Sequence, residues 1–350
     1  MTAEPAVSVV IAARNEAPVI AACIASLRAQ DVPPGTLEIL VVDDASTDAT
    51  VAVATALGAR CLKLARSGPA LARNRGALAA RAPLVAFVDA DAVPAPDWAS
   101  QLLAAFAACD APNLAAIGGS QQGHPDDGPF ARNVDRFLRA VGFVADYSRE
   151  RKEPTEVGHN ASCNSAYRRD VFLEAGGFRP GMFPSEDVDI DKRLWAAGYT
   201  VRHAPDIRVA HRRPGTPRAW QRMLASYGKS QADCVAIHGL FRPLHALPFA
   251  WLVGLAALAF FPKTLLSCGA ALALAICLYW QRRYGLPVAT GLYFLGTTAL
   301  IYPMAFLNRL AARALGSKGP VGGKRLPPLS PDPTNHQGSQ GSFSTSARAS

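Results

Sequence analysis

Between the N-terminus and Val209, short apolar runs rich in β-branched residues alternate with Ala-rich segments of helical pattern. Continuous apolar strands that alternate with helices are typical of a parallel sheet covered by helices on both faces. The pattern therefore predicts a Rossmann-like α/β domain, which we assign to residues 1–215. Its first four strands are predicted at VSVVIAA, EILVVDD, RCLKLA and LVAFVDAD.

Three longer apolar runs follow this pattern, at Leu247 to Phe261, Thr264 to Trp280 and Leu286 to Leu307. Only the last run has the ~20 residues that a helix needs to cross a bilayer. The first two are short and are separated by a Pro-Lys pair, which fits tight spans or a partly re-entrant hairpin. The sequence therefore predicts two or three transmembrane helices within residues 246–308.

The segment between these regions, residues 216–245, interleaves aromatic and basic side chains. Trp220, Leu224 and Tyr227 lie among arginines, which is typical of a helix in the lipid headgroup layer. An ordinary amphipathic helix that packs on the α/β domain is the alternative. The last part of the chain, residues 309–350, is basic and rich in Gly, Pro and Ser, which predicts a disordered tail.

Charge and cysteine usage narrow the class of protein. The net charge of +9 comes largely from late Lys and Arg residues that flank apolar runs. Such residues face anionic lipid, so we expect membrane lipid as a partner and no nucleic acid. The seven cysteines are scattered without a C-x-x-C pair, which argues against disulfides and a zinc site. Glu4 and a short apolar run stand where a secretory signal would be, so we expect the α/β domain on the cytoplasmic side of the cell membrane.

Polar side chains follow three of the four predicted strands. Open α/β sheets bind ligands outside the carboxyl ends of their strands, so we expect these side chains to line one pocket. They are Arg14, Asn15 and Glu16 after the first strand, Asp43 and Asp44 after the second, and Asp89 and Asp91 after the fourth.

The pair Asp89 and Asp91 indicates a metal site. Residues i and i+2 of an extended segment point to the same side, so the two carboxylates share one space. Their mutual repulsion favours a nearby cation, and Mg²⁺ or Mn²⁺ takes oxygen ligands and keeps positions for substrate phosphates. The alternative is an Asp that only caps a helix or forms a turn.

The α/β domain resembles the family 2 glycosyltransferases of the membrane-associated bacterial type, which have a GT-A fold. The resemblance covers roughly Val7 to His211 and implies a mixed, mainly parallel sheet that binds a nucleotide sugar. The stretches that carry it are VSVVIAARNE, EILVVDDASTDAT, GPALARNRG, VAFVDADAVP, EAGGF and SEDVDIDKRLWAAGY.

The resemblance also implies roles for matching residues. Asp43 and Asp44 would reach the base and ribose of the nucleotide, and Arg73 would lie near the phosphates. Asp89, Asp91 and His211 would hold the divalent metal on the diphosphate. The nucleotide-sugar pocket so implied comprises Ala13, Arg14, Asn15, Glu16, Asp43, Asp44, Arg73 and Asp89.

For catalysis, the resemblance implies that Asp187, with its neighbour Glu186, deprotonates the acceptor hydroxyl. A helix start is the other interpretation of these acids, because Ser185 is a suitable N-cap and carboxylates favour a helix N-terminus. Arg14 stands where the family often has an aromatic residue, which leaves the nucleotide open.

The sequence therefore predicts an inverting, metal-dependent transferase of one sugar, with a lipid-linked or saccharide acceptor in envelope or exopolysaccharide synthesis. Transfer of a single sugar is expected because the Gln-x-x-Arg-Trp motif of processive synthases is absent. Two alternatives stay open: a phosphohydrolase of the haloacid dehalogenase kind and a non-catalytic membrane-anchored binding module.

Overall fold

The computed structural model describes residues 4–109, 111–142, 152–320, 323 and 325–330. Its α/β domain contains a nine-stranded sheet within the described residues. The strands are β1 (Val7–Ala13), β2 (Leu37–Asp44), β3 (Arg60–Leu64), β4 (Leu84–Val88), β5 (Ala92–Pro94), β6 (Leu114–Gly123), β7 (Thr155–Glu156), β8 (Asn164–Arg168) and β9 (Thr200–His211).

The sheet is mixed and mainly parallel, which confirms the predicted fold class. Its order is β3-β2-β1-β4-β8-β6-β9-β5, with β7 added beside β9. The pairs β1–β2, β1–β4, β2–β3 and β6–β9 are parallel, whereas β8 runs antiparallel to both of its neighbours. The carboxyl ends of β2, β1 and β4 therefore lie side by side.

Helices cover both faces of the sheet, as the apolar strand pattern predicts. Val9 and Val41 belong to the core on one face, and Val10 and Val42 belong to the core on the other, all fully buried. The helices of this domain are α1 (Ile20–Arg28), α2 (Thr50–Ala56), α3 (Pro69–Ala79), α4 (Trp98–Ala107), α5 (Pro129–Val141), α6 (Arg169–Glu174) and α7 (Glu186–Ala196).

Helix α3 lies unusually close to β1 because of Gly76. A Cβ at this position would come within 2.3 Å of a methyl carbon of Val10. No side chain is tolerated at such a distance unless the helix moves away from the sheet. The close approach matters for the site, since α3 also carries Arg73.

From Pro217 to Ala314 the elements that the structure describes are all helices. By length and apolar composition, α10 and α11 can each cross a membrane. Helices α8 and α9 are bent by 102° relative to each other, and they would count as a third span if they form one broken helix. The elements are α8 (Pro217–His238), a short 3-10 helix (Pro243–Ala246), α9 (Leu247–Leu258), α10 (Pro262–Tyr284) and α11 (Val288–Ala314).

Helix α8 buries the aromatic side that the sequence assigns to lipid headgroups. Trp220 is 1% exposed, packs edge-on against Phe137 of α5, and donates a hydrogen bond to Thr297 Oγ1 of α11 at 3.0 Å. Gly228 permits close packing, since a Cβ there would lie 2.6 Å from the carbonyl oxygen of Tyr302. Helix α8 thus joins the α/β domain to the apolar helices instead of presenting these residues to headgroups.

The C-terminal boundary also differs from the prediction. Helix α11 continues to Ala314, so the tail predicted from residue 309 begins inside a helix. Further along, the backbone N–H of Leu329 donates to the carbonyl of Leu173 at 2.8 Å, and its side chain packs on the core beside α6. Residues 331–350 lie outside the described part of the chain.

Candidate active site

The loops after β1 and β2 are tied together by Asn15. Its Oδ1 accepts a hydrogen bond from the Thr47 N–H at 2.8 Å, and its own N–H donates to Ser46 Oγ at 3.0 Å. Asn15 has a φ of 57°, a left-handed conformation that Asn tolerates better than most residues. Ala45 has a φ of 63°, which strains an alanine and marks this loop as one held by its surroundings.

The two aspartates at the end of β2 hold loops in place. Asp43 Oδ1 accepts from the Ser46 N–H at 3.2 Å. Asp44 accepts from the N–H groups of Ser67 and Gly68 at 2.5 and 3.0 Å, and from the Ser67 hydroxyl at 2.9 Å. Both carboxylates therefore shape the predicted nucleotide pocket, and their direct contact with base and ribose stays a prediction.

The remaining residues predicted after β1 differ in exposure. Ala13 is buried in the sheet and Arg14 is exposed. Glu16 is half-buried, and its N–H donates to Thr50 Oγ1 at 2.8 Å. Burial, with added repulsion from Asp91 and Asp89, raises the pKa of Glu16 to about 7. Glu16 is thus near the predicted metal carboxylates as well as the nucleotide loop.

The late strand β9 brings His211 to the predicted metal site. Antiparallel pairing of β5 with β9 sets Ala92 opposite His211. His211 Nε2 lies 3.2 Å from Asp91 Oδ1 and 3.6 Å from Asp89 Oδ2. Burial alone would lower the pKa of His211, but the two nearby carboxylates, Asp89 and Asp91, raise it to about 9. The structure therefore gathers the three predicted metal ligands.

Arg73 stands between the two acidic motifs. Its guanidinium is 4% exposed and lies 2.7 Å from Asp89 Oδ1 and 2.6 Å from Glu186 Oε1. Burial opposes ionisation of Asp89, but Arg73 and His211 outweigh it and hold the pKa of Asp89 well below its usual range. The described ion pairs of Arg73 are therefore with protein carboxylates, and its contact with phosphate stays a prediction.

Glu186 begins α7 and is 1% exposed. Burial raises the pKa of its carboxyl above the usual range, against the lowering effect of Arg73. Oxygen Oε2 has no hydrogen-bond partner among the described residues. The helix-start interpretation is also correct, because Ser185 is the N-cap position, although its side chain makes no capping bond.

Asp187, the predicted base, lines a cavity, and its Oδ1 accepts a hydrogen bond from the Val188 N–H at 2.7 Å. Its Oδ2 accepts from the Ser162 N–H at 3.0 Å, and its Oδ1 lies 4.0 Å from His159 Nε2. His159 Nδ1 in turn lies 3.3 Å from Asp191 Oδ2. Tyr167 donates its hydroxyl to the other oxygen of Asp191 at 3.1 Å. The sequence interpretation did not include His159, and only the GHN stretch before β8 hints at it.

The donor groups fit a divalent cation. Asp89, Asp91 and His211 supply two carboxylates and an imidazole, a set compatible with Mn²⁺ or Mg²⁺. Ligand atoms of Asp89, His211 and Cys163 all lie within 4.8 Å of one another. Cys163 is a buried free cysteine beside this cluster, and the scattered cysteine positions in the sequence did not reveal this proximity. Arg73 and His211 also offset the charge of the two aspartates.

One cavity of about 600 Å³ connects these groups. Arg73, Asp89, Glu186, Asp187 and His211 all contribute to its wall. Asp89 of the predicted metal pair and the predicted base Asp187 thus face a common space, although they are 98 residues apart in the sequence. Such a space can hold a donor diphosphate and an acceptor hydroxyl together.

Arg73→Met is expected to destabilise the protein, because it removes the cation that pairs with the buried carboxylate of Glu186. Loss of one partner from a buried ion pair costs about 3–5 kcal/mol. We expect the melting temperature of the detergent-solubilised protein to fall by several degrees. Arg75→Met, on the same helix, is the control and should change little. Adding Glu186→Gln should restore part of the loss, and an unchanged melting temperature for Arg73→Met would contradict the bridging role.

Sequence comparison assigns the family. The model of the family "Glycosyl transferase family 2" matches residues 8–176. Residues 8–176 form a family 2 glycosyltransferase domain. The match begins in β1 and ends just after α6, so it includes the strand ends and D-x-D pair described above.

The sequence is similar to two bacterial proteins that are named for roles in glycosylation or polysaccharide synthesis. A pre-mycofactocin glycosyltransferase of Mycobacterium tuberculosis is 33% identical over 249 residues, 66% of this chain and 48% of that protein. Succinoglycan biosynthesis protein ExoU of Rhizobium meliloti is 32% identical over 212 residues, 57% of this chain and 60% of that protein. The aligned part thus spans about half the length of the first relative.

A solved structure supports the fold. Mannosyltransferase PcManGT of Pyrobaculum calidifontis, in complex with GDP-Man and Mn²⁺, superposes with a TM-score of 0.58. The superposition covers 86% of this chain and 88% of that one at 24% sequence identity. The predicted GT-A fold is therefore confirmed for this chain.

Proposed function

We propose that the protein is a metal-dependent, inverting glycosyltransferase that moves one sugar from a nucleotide-diphosphate sugar to an acceptor hydroxyl. The observation that carries this proposal is the shared cavity, whose wall includes Asp89 and His211 of the metal cluster and Asp187. A transferase needs both functions in one space, because donor and acceptor must meet in line.

The donor side is assigned to the strand ends. Asp89, Asp91 and His211 would hold Mn²⁺ or Mg²⁺, and the loops shaped by Asp43 and Asp44 would take the nucleoside. A bound divalent cation supplies electrostatic stabilisation of the departing diphosphate. The Mn²⁺ and GDP-Man in the mannosyltransferase of similar fold are consistent with this assignment.

The acceptor side is assigned to Asp187. Its carboxylate takes the proton of the acceptor hydroxyl while the hydroxyl oxygen forms a bond to the anomeric carbon. The bond between that carbon and the diphosphate oxygen breaks, and its electron pair leaves with the nucleoside diphosphate. Attack on the face opposite the leaving group inverts the anomeric configuration. Glu186 acts through Arg73 and is a positioning residue, since Arg73 links it to Asp89.

The biological setting follows from the helices and the relatives. The apolar helices α10 and α11 would anchor the enzyme in the cell membrane with the catalytic domain on the cytoplasmic side, where nucleotide sugars are made. ExoU is a succinoglycan biosynthesis protein, which favours a role in envelope or exopolysaccharide synthesis. The acceptor would accordingly be lipid-linked or a saccharide.

Donor binding tests the proposal directly. Purified full-length protein in detergent is screened for thermal stabilisation by a panel of nucleotide sugars with Mn²⁺ and with EDTA. A ligand at 100 times its Kd stabilises by about 2.7 kcal/mol, so one donor should raise the melting temperature only when Mn²⁺ is present. Proton NMR of the transfer product then gives its anomeric configuration. Failure of every nucleotide sugar, together with release of phosphate from phosphate esters, would overturn the proposal in favour of a phosphohydrolase.

A further inference from the structure

The catalytic cavity is not confined to the α/β domain. Beyond Asp187 and His159 it continues between the apolar helices, where Trp251 of α9 and Ala299 of α11 form part of its wall. Helices α8 and α9 are bent by 102° relative to each other, and both contribute residues to this part of the wall together with α11. A single cavity therefore connects the predicted base with the region of the chain that is apolar enough to enter a bilayer.

The wall of this extension is mainly apolar. Phe137 of α5, Leu224 of α8 and Leu295 of α11 face it, together with the tryptophan of α9. A sugar offers hydroxyl groups that such a surface leaves without hydrogen bonds, at a cost of about 1–3 kcal/mol for each buried group. A hydrocarbon chain gains about 0.8 kcal/mol for each CH₂ that leaves water. The wall therefore selects a chain rather than a second sugar.

Two hydroxyl groups interrupt the apolar wall. Thr298 Oγ1 and Tyr302 OH are both buried, line the cavity, and have no hydrogen-bond partner among the described residues. They are four residues apart on α11, so they lie on one face of the helix. Arg242 also lines the cavity and adds positive charge. Hydroxyl donors beside a guanidinium are suited to the oxygens of a phosphate.

We propose that this extension binds the acceptor as a lipid phosphate, with its hydrocarbon chain between α8, α9 and α11. The phosphate linkage meets Arg242, Thr298 and Tyr302, and the accepting hydroxyl, carried by a sugar attached to that phosphate, faces Asp187. This inference rests on the proposed function and narrows its acceptor from a saccharide or a lipid-linked molecule to the latter. Membrane anchoring then also delivers the substrate, because the acceptor can enter the cavity from the bilayer.

Binding of a polyprenyl phosphate to the full chain in nanodiscs tests this site. Ala299→Phe places a bulky ring in the wall, and we expect it to weaken binding of the polyprenyl phosphate at least ~10-fold. Ala289→Phe, an exposed position on the same helix outside the cavity, is the matched control and should bind like the wild type. Thr298→Val, which removes one hydroxyl at nearly constant volume, should weaken it less. Geranyl phosphate and inorganic phosphate, with the same head group and a shorter chain or none, should bind progressively more weakly.

Donor binding on the same preparations separates this inference from the proposed function. All variants should keep the wild-type response to nucleotide sugar and Mn²⁺, because none touches the strand ends. Equal binding by wild type and Ala299→Phe would overturn the lipid site, as would transfer to a free saccharide without any gain from a chain. Competition by phosphatidylglycerol as strong as that by the polyprenyl phosphate would also overturn it, since the cavity would then hold a structural bilayer lipid. Absent donor binding would instead overturn the function.

Discussion

Asp187→Asn is expected to lower the rate of sugar transfer about 10²–10⁴-fold, the usual contribution of a positioned general base. The amide has the same shape and can still accept the hydrogen bond that the Ser162 N–H donates to Oδ2. It cannot take a proton from an acceptor hydroxyl. Donor affinity should stay near the wild-type value, because the metal ligands and the nucleotide loops are unchanged. Single-turnover transfer and donor binding are measured on the same sample.

The matched control for this change is Asp170→Asn. Asp170 is likewise in the first turn of a helix, but it is exposed on α6 and contributes nothing to the wall of the cavity. Its variant should transfer sugar normally. If Asp187→Asn transferred sugar at the wild-type rate, Asp187 would not be the base. If the variant lost donor binding, Asp187 would have a structural role instead.

Asp91→Ala is expected to weaken Mn²⁺ binding by at least ~10–100-fold, since even residues that only support a ligand contribute that much. Arg73 forms an ion pair with Asp89, so Asp91 is the carboxylate of the two that does not pair with this guanidinium. His211 would keep only its 3.6 Å approach to Asp89. Calorimetry should show the loss of Mn²⁺ uptake, and the metal-dependent thermal shift with nucleotide sugar should disappear.

The control for the metal site is Asp206→Ala, which removes an exposed carboxylate from β9, the strand that carries His211. It should bind Mn²⁺ and donor like the wild type. If Asp91→Ala bound Mn²⁺ with wild-type affinity in the presence of donor, the D-x-D pair would not be a metal site. Its charge would then be offset by protein cations alone.

Residue patterns alone predicted much of the catalytic domain, for a simple physical reason. A strand covered on both faces is largely apolar, so β1, β2 and β4 stand out as mainly apolar runs with polar residues at or just after their carboxyl ends. Adjacent parallel strands end at one edge of a sheet, which is why Asn15, Asp43 and Asp89 could be expected together. The predicted metal ligands Asp89, Asp91 and His211 lie close together because β5 and β9 pair beside the D-x-D turn.

Other features depend on contacts that no local pattern encodes. Trp220 and Leu224 have the spacing of an amphipathic helix, but a pattern does not say whether their partner is lipid or protein, and the structure places α5 and α11 there. The position of Arg73 between Asp89 and Glu186 joins segments that are 113 residues apart. His159 approaches Asp187 only because the loop before β8 folds over the start of α7.

By itself, the sequence determined the alternation of strands and helices, the acidic residues at the strand ends and the apolar C-terminal helices, because hydrophobic periodicity and chain direction act over short distances. Only the tertiary structure decided which charges are paired, which aromatic residues are buried, and that one cavity runs from Asp187 into the cleft between the apolar helices. Those features depend on packing between distant segments, where a shift of a few ångströms decides whether a carboxylate meets a cation, a helix or open space.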